Sequence, residues 1–314
     1  MNRATKRSAW VLIGALCCLS LIGGCRHYVV EVTLNPDGSG SRHLKLSGDP
    51  VLDSDLTLDE FRKLLHLEEA KGWQVRRQTD SDGEKITFEG TGQIKNLASW
   101  HEQSGDIRID ASLSGPHADV GCQNSVVVEM VEGPSGGQYT YKETFAWTGL
   151  KEFIVAFVSE QFSSAMAETY PFLTSEEISE LRGLMAGHLA LYRFDIPEDE
   201  EKDQEERVIR SVAFYAGKLV ARDHPDADLL GIQGIAQTVV EDSDGALDDY
   251  VGENLPGVEL AVFTDVTLKV EMPGAIVDTN AEEIEGRTAV WKIDLLDAVE
   301  GPIELYARSG LEGE

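Results

Sequence analysis

Cysteine is scarce in this chain of 314 residues, and three of its four cysteines, Cys17, Cys18 and Cys25, lie close to the start, leaving only Cys122 in the rest. With Cys25 assigned below to another use, no intramolecular disulfide is available, and the core must stand by packing alone. Basic residues are also scarce. Lys and Arg number 27 against 56 Asp and Glu, a formal charge of −29. Such a surface repels DNA, RNA and anionic headgroups except where a local basic patch interrupts it, which excludes a nucleic-acid function. After Cys25 no apolar stretch approaches the ~20 residues of a membrane-spanning helix.

Signatures of chemistry are missing as well. There is no Gly-x-Ser-x-Gly elbow, and Gly38-Ser39-Gly40 sits in a hairpin turn with no helix dipole behind it. Walker and dinucleotide glycine patterns are absent. The histidines His27, His43, His66, His101, His117, His188 and His224 occur singly, without a His-Glu-x-x-His pair or paired cysteines, which argues against zinc. Two aspartate clusters suggest calcium. Asp49, Asp53, Asp55 and Asp59 precede a helix, while Asp242, Asp244, Asp248 and Asp249 are expected to follow one, with Gly245 between. Neither has the closing Glu at the twelfth position of an EF-hand, and Asx turns and helix caps account for both. Cys122, beside Gly121 and ahead of an apolar run, reads as a buried small hydrophobe. No catalytic, cofactor or metal residue is assigned, and the expectation is a protein without enzymatic activity.

What is present at the start is an address. Arg3, Lys6 and Arg7 precede an apolar run over residues 9–22, which ends in Ile22-Gly23-Gly24-Cys25. A basic segment, a short apolar stretch and small residues before a cysteine are the parts of a bacterial lipoprotein signal peptide with its lipobox. The uncharged run is too short for a span and holds three glycines, and Leu16 stands where a cut before Cys17 or Cys18 needs a small residue. Cleavage before Cys25 would leave its sulfur and amino group acylated with palmitate-class chains. Two or three such chains anchor stably where one alone is marginal. Arg26 rather than Asp follows the cysteine, which favours the outer membrane or cell surface over retention at an inner membrane.

Along the body the hydrophobic period changes twice. Tyr28-Val29-Val30-Glu31-Val32-Thr33-Leu34 alternates as a half-buried strand, Asn35-Pro36-Asp37-Gly38-Ser39-Gly40 turns, and residues 41–47 alternate again, so a hairpin with Asp37-Gly38 at its tip is expected. Thr57 with Glu60 is a capping box opening a helix that ends near Gly72. Strand signals follow at residues 73–79, 85–89, 105–113 and 124–147. From Leu150 the pattern is helical: a wide apolar stripe through Phe153, Phe157 and Phe162, then a capping box at Thr174 and Glu177 opening a helix to Phe194. A third helix spans residues 205–223 and a weaker fourth spans 228–240. Seven acids in the nine residues 198–206 read as an exposed linker or a charged first turn. On the second of these helices His188 shares helical spacing with Leu181, Leu184, Met185 and Tyr192 and reads as a core histidine, while Gly183 and Gly187 permit close helix approach. Residues 258–271, 288–295 and 303–307 return to strand. The expected fold is α+β: a mostly antiparallel sheet built from N- and C-terminal strands, with a helical insertion. The parts are a signal peptide at 1–24, a β-rich part at 25–149, the helical insertion at 150–255 and a C-terminal β part at 256–314.

The stretch Val266-Thr267-Leu268-Lys269-Val270-Glu271-Met272-Pro273-Gly274, with Asn280, Gly286 and Val290-Trp291, resembles the end of the LppM-type lipoprotein domain. Asp37-Gly38-Ser39-Gly40, Gly72-Trp73 and Thr87-Phe88-Glu89-Gly90-Thr91 resemble its opening. The resemblance covers residues 26–113 and 258–309 and leaves the helical block outside. It implies an extracytoplasmic lipoprotein with a lipid-binding type of sheet architecture, and it carries over no catalytic residue. The expected function is a lipid-anchored, non-enzymatic binding or assembly module of the envelope, with a lipid or amphiphile as the candidate ligand. The alternatives are a scaffold that engages an envelope protein through the helical insertion, and an envelope enzyme with a dispersed acidic site.

Overall fold

The structure, a computed structural model, describes residues 26–48, 57–79, 86–104, 108–110, 119–133, 136–193, 196, 198–227, 229–258 and 264–311. Cys25 and the apolar segment before it lie outside the described residues, as do Asp49, Asp53 and Asp55. The described chain divides into two compact units, one formed by Gly149–Asn254 and the other by the residues up to Thr148 and from Leu255 onward.

The second of these is a sheet unit. In chain order its elements are β1 (Arg26–Leu34), β2 (Gly40–Gly48), α1 (Leu58–Leu64), β3 (Gln74–Thr79), β4 (Ile86–Ile94), α2 (Leu97–Ser104), β5 (Arg108–Asp110), β6 (Gly121–Gly133), β7 (Gly136–Thr148), β8 (Thr264–Glu271), β9 (Ala275–Thr279), β10 (Glu283–Glu285), β11 (Thr288–Ile293) and β12 (Ile303–Gly310). The fold class is α+β with mostly antiparallel pairing, but the strands form two sheets rather than one. A seven-stranded sheet runs β10-β11-β8-β1-β2-β4-β3, and a five-stranded sheet runs β5-β6-β7-β12-β9. N- and C-terminal strands meet in both. β1 lies parallel to β8, with Val30 opposite Leu268, and β7 lies antiparallel to β12, with Tyr141 opposite Ala307.

Alternation explains the stacking. In β1 Tyr28, Val30, Val32 and Leu34 are buried while His27 and Glu31 are exposed. Leu44, Phe88, Leu268 and Trp291 from the first sheet share a core with Val126, Tyr141, Phe145 and Leu305 from the second. Two apolar faces with period two can leave water only against each other. The β1–β2 hairpin has the expected tip: Gly38 takes φ 80°, and the Asp37 carboxylate accepts hydrogen bonds from the Ser39 backbone and hydroxyl at 2.9 and 2.6 Å. Gly40 is required for a different reason, because a Cβ there would run into Thr33 O and the Trp100 ring. Its neighbour at the tip completes the arrangement, as Trp100 Nε1 donates to Gly38 O at 3.0 Å.

The Thr57–Glu60 capping box forms, but the helix it opens stops at Leu64. His66 then adopts φ 50°, and Glu69–Lys71 closes as a separate 3₁₀ turn before Gly72. The C-terminal strand expected from residue 258 begins at Thr264, because residues 256–258 form a helical turn.

The helical unit contains α3 (Leu150–Thr169), α4 (Ser175–Leu189), α5 (Glu198–Asp223) and α6 (Leu230–Asn254). Each packs on the next and α3 on α6, which closes a ring of four. Phe153, Val158, Phe162 and Met166 of α3, Leu181 and Met185 of α4, Val212, Ala216 and Val220 of α5, and Ile232, Ala236 and Val240 of α6 are buried at helical spacing. The capping box at Thr174 and Glu177 is formed, with α4 ending at Leu189 rather than Phe194. The acidic run 198–206 is the first turns of α5, where negative charge complements the helix dipole. α6 continues past residue 240 to Asn254, so Asp242, Asp244, Asp248 and Asp249 lie within a helix rather than after it. The reason is that Leu247 and Val251 extend the apolar stripe of Val240 through the acids, and both are buried.

Candidate functional site

The outer face of the seven-stranded sheet carries a groove of about 520 Å³ lined by residues of β1, β2, β4, β8, β10 and β11. Its arrangement follows from register. One row across the sheet reads Glu283, Val290, Lys269, Glu31, His43, Thr91, and the next reads Lys292, Thr267, Val29, Lys45, Glu89, Arg76. Thr267 and Val29 are short and make the floor between Lys292 and Lys45. The long side chains of Lys269 and Glu31 stand one row away, about 7 Å along the strands. Depth here comes from small residues at the centre of a face whose neighbours are long.

The charges of the groove are unevenly satisfied. Lys292 Nζ meets Glu283 Oε1 at 3.0 Å, His43 Nδ1 lies 3.5 Å from Glu31 Oε2, and Glu89 is turned away from its cross-strand neighbour Lys45 to pair with Arg76. Lys45 and Lys269 have no ion-pair partner among the described residues. The centre of the groove therefore presents two uncommitted ammonium groups in a protein whose net charge is −29. Its lining is polar where an acyl chain needs apolar walls.

Behind the groove, on the inner side of the same strand β2, lies a buried charge pair. Arg42 Nη2 donates to Glu143 Oε1 at 2.5 Å and Nη1 to Oε2 at 3.1 Å, with side chains 2% and 0% exposed. The remaining acceptor capacity of Glu143 is used by Tyr141 Oη and Asn124 Nδ2, each donating at 2.5 Å. Burial alone would lower the Arg42 guanidinium, but the Glu143 carboxylate beside it holds it above its ordinary value. Burial pushes the Tyr28 and Tyr141 phenols upward, and Glu143 adds to both. A fully buried bidentate pair joins β2 of one sheet to β7 of the other and keeps the groove strand in place.

The inward-facing charges of the buried pair could have been found in the sequence by parity. Arg42 shares the apolar face of Leu44 and Leu46, and Glu143 shares that of Tyr141 and Phe145. Opposite charges at buried parity on two strands mark a pair. The groove depended on β8 and β11 lying beside β1, which no local pattern announces.

The other singled-out residues are placed as follows. Cys122 is a free, buried thiol pushed up to about 12 by burial. His188 is not a core histidine: it is half-buried and stacks on the half-exposed Tyr215 at 5.9 Å. Gly183 and Gly187 do not serve helix packing within the unit, since a Cβ at either would meet nothing within 4 Å. Trp291 is buried, and its Nε1 donates to Asn280 Oδ1 at 3.0 Å, the same oxygen that accepts from the Tyr306 backbone at 2.9 Å. Asp59 lies 3.6 Å from Arg62. Among the described residues no three His, Cys, Asp or Glu side chains gather as a metal site, and no helix is long and apolar enough to cross a membrane.

No family model matches the chain, and no curated protein matches it. One solved structure does. The NMR structure of the folded domain of LppM from Mycobacterium tuberculosis aligns over 93% of this chain and 92% of that chain, with 11% identity and a TM-score of 0.34. The likeness is distant, and at that score it carries no argument about what this chain does.

Proposed function

We propose that the chain is a lipid-anchored extracytoplasmic module of the cell envelope, without catalytic activity, that holds the polar headgroup of an amphiphile in the groove of its seven-stranded sheet. The observation that carries the reading is the pairing pattern: Lys45 and Lys269 stand uncommitted over the floor of Thr267 and Val29, while Glu89 pairs with Arg76, Glu283 pairs with Lys292, Glu31 lies 3.5 Å from His43, and Glu285 stands at the exposed edge on β10. An anionic or zwitterionic headgroup would supply what those ammonium groups lack. The lipobox ending at Cys25 supports a location where such amphiphiles are the surrounding material.

The test is an intact mass and an organic-phase extract of the protein purified from its own membranes, for the unaltered chain, Cys25→Ala and the double variant Lys45→Met/Lys269→Met. The reading requires a diacylglyceryl-sized increment lost in Cys25→Ala, and a co-purifying amphiphile lost in the double variant while its melting curve is unchanged. An unmodified Cys25 removes the anchor, and an amphiphile that survives the double variant removes the groove.

A further inference from the structure

The groove of the seven-stranded sheet has charge for a headgroup and no surface for a hydrocarbon tail. Its lining combines three lysines and a histidine with four glutamates, and only two valines and Thr267 complete it. Each methylene drawn from a bilayer into such a groove would lose its apolar surroundings and gain none. The groove therefore takes an amphiphile only while the acyl chains stay in the membrane. That requirement limits how far from the bilayer it can stand.

The chain's geometry meets the limit. Cys25 is joined by one peptide bond to Arg26, the first residue of β1. β1 is paired on both flanks from its start, with Arg26 opposite Thr264 of β8 and His27 opposite Ser47 of β2. A strand held on both sides offers no hinge, so one Cα–Cα step of about 3.8 Å separates the lipobox cysteine from a rigid sheet. Along β1 the groove row of Val29 and Lys45 lies ~10 Å from Arg26, and the row of Glu31 and Lys269 ~17 Å. The polar layer of one leaflet is ~5–7 Å deep, so the nearer row stands just above it. Charge permits the approach as well. The chain as a whole has 56 acids against 27 bases and is repelled by an anionic surface, whereas the groove's lysines and histidine nearly balance its glutamates.

We propose that the sheet unit stands on its membrane by the N-terminal end of β1, and that the groove binds the anionic headgroup of a lipid still embedded in the leaflet that holds the Cys25 anchor. The protein recognises that lipid in place and does not carry it away. This inference rests on the anchor and the groove as read above, and adds where the ligand comes from and how the sheet is oriented. Confinement to the surface presents headgroups at ~millimolar effective concentration, so two lysines suffice where a soluble carrier would need an apolar cavity.

The test reconstitutes the full-length acylated protein in vesicles of phosphatidylcholine, alone or mixed with phosphatidylglycerol. A fluorophore is placed on His27→Cys, beside the anchor, or on Gln93→Cys, which is level with Thr33 and ~20 Å further along the same face. Cys122 is buried and stays unlabelled. A quencher attached to lipid headgroups is expected to extinguish the label on His27→Cys and spare that on Gln93→Cys. In the unaltered chain, acetylation of Lys45 and Lys269, read by mass spectrometry, should slow about tenfold when phosphatidylglycerol is present, as a nearly saturated groove requires, while the exposed Lys142 on β7 is unaffected. Quenching at both positions or at neither overturns the placement, and if the lysines are still protected the groove reading survives it. Quenching at His27→Cys without lysine protection overturns this inference together with the groove. Equal protection by millimolar inorganic phosphate in phosphatidylcholine vesicles makes the site one for a free anion and overturns the lipid, as does protein-driven transfer of phosphatidylglycerol to acceptor vesicles. An intact mass without acyl chains on Cys25 overturns the anchor and this inference alike.

Discussion

Arg42→Met is the sharpest test of the sheet unit, because it removes the positive end of a pair whose two side chains are 2% and 0% exposed. The substitution keeps most of the apolar stem and takes away two of the four hydrogen bonds that Glu143 accepts, those from Nη1 and Nη2. A carboxylate is left in the shared core with only a phenol and an amide for partners. Breaking a buried pair at one end costs about 3–5 kcal/mol, and Glu143→Gln is expected to cost a similar amount by stranding the guanidinium. Replacing both, as Arg42→Met/Glu143→Leu, removes the desolvation cost together with the attraction and should return to within ~1–2 kcal/mol of the unaltered chain. Urea unfolding of a chain that starts at Arg26, and so lacks Trp10, followed by tryptophan fluorescence reads the sheet unit alone, since the other four, Trp73, Trp100, Trp147 and Trp291, all belong to it. Single variants that each lose under ~1 kcal/mol, or a double variant that loses the sum of the singles, would refute the view that this pair is buried, coupled and responsible for holding β2 against β7.

Three further outcomes follow from particular contacts. Gly40→Ala should lower the stability of the sheet unit by about 1–3 kcal/mol, because the new methyl group meets backbone and the Trp100 ring; an unchanged urea midpoint would contradict that packing. Hydrogen bonds from Thr174 hold the Glu177 carboxyl below its ordinary 4.5, and Thr57 does the same for Glu60. A carboxyl depressed on folding contributes stability that is complete above about pH 4.5 and lost as pH falls through its folded value. The deficit of Thr174→Ala in a helical melt should therefore be largest at neutral pH and shrink in acid, and a pH-independent deficit would speak against the cap. Cys122, pushed up to about 12 by burial, should resist alkylation at pH 8 in the native protein and react in urea, whereas rapid native modification would mean the thiol is accessible.

Local pattern determined a large part of this protein without help. The β1–β2 hairpin follows from strict alternation and a Pro-Asp-Gly turn, and the two capping boxes form as Thr-x-x-Glu requires, since each needs only residues three positions apart. Composition ruled out a disulfide framework for the same kind of reason, because counting cysteines involves no geometry. Where a stripe was interrupted by charge, the local view fell short. α6 runs on through its aspartates because Leu247 and Val251 are buried, and α5 begins in the acidic run 198–206, where a helix N-terminus favours negative charge.

Tertiary structure alone decided which strands are neighbours. β1 and β8 are separated by the whole helical unit in sequence yet lie side by side in parallel register, and that pairing puts Lys269 across from Glu31 and Thr267 beside Val29. The groove exists only because of it. The same holds for Arg42 and Glu143, whose parity marks them as inward-facing but whose meeting depends on two sheets stacking. Alternation specifies which face of a strand is apolar, while the partner across that face is chosen by whatever other apolar face the chain can bring against it, a property of the whole fold.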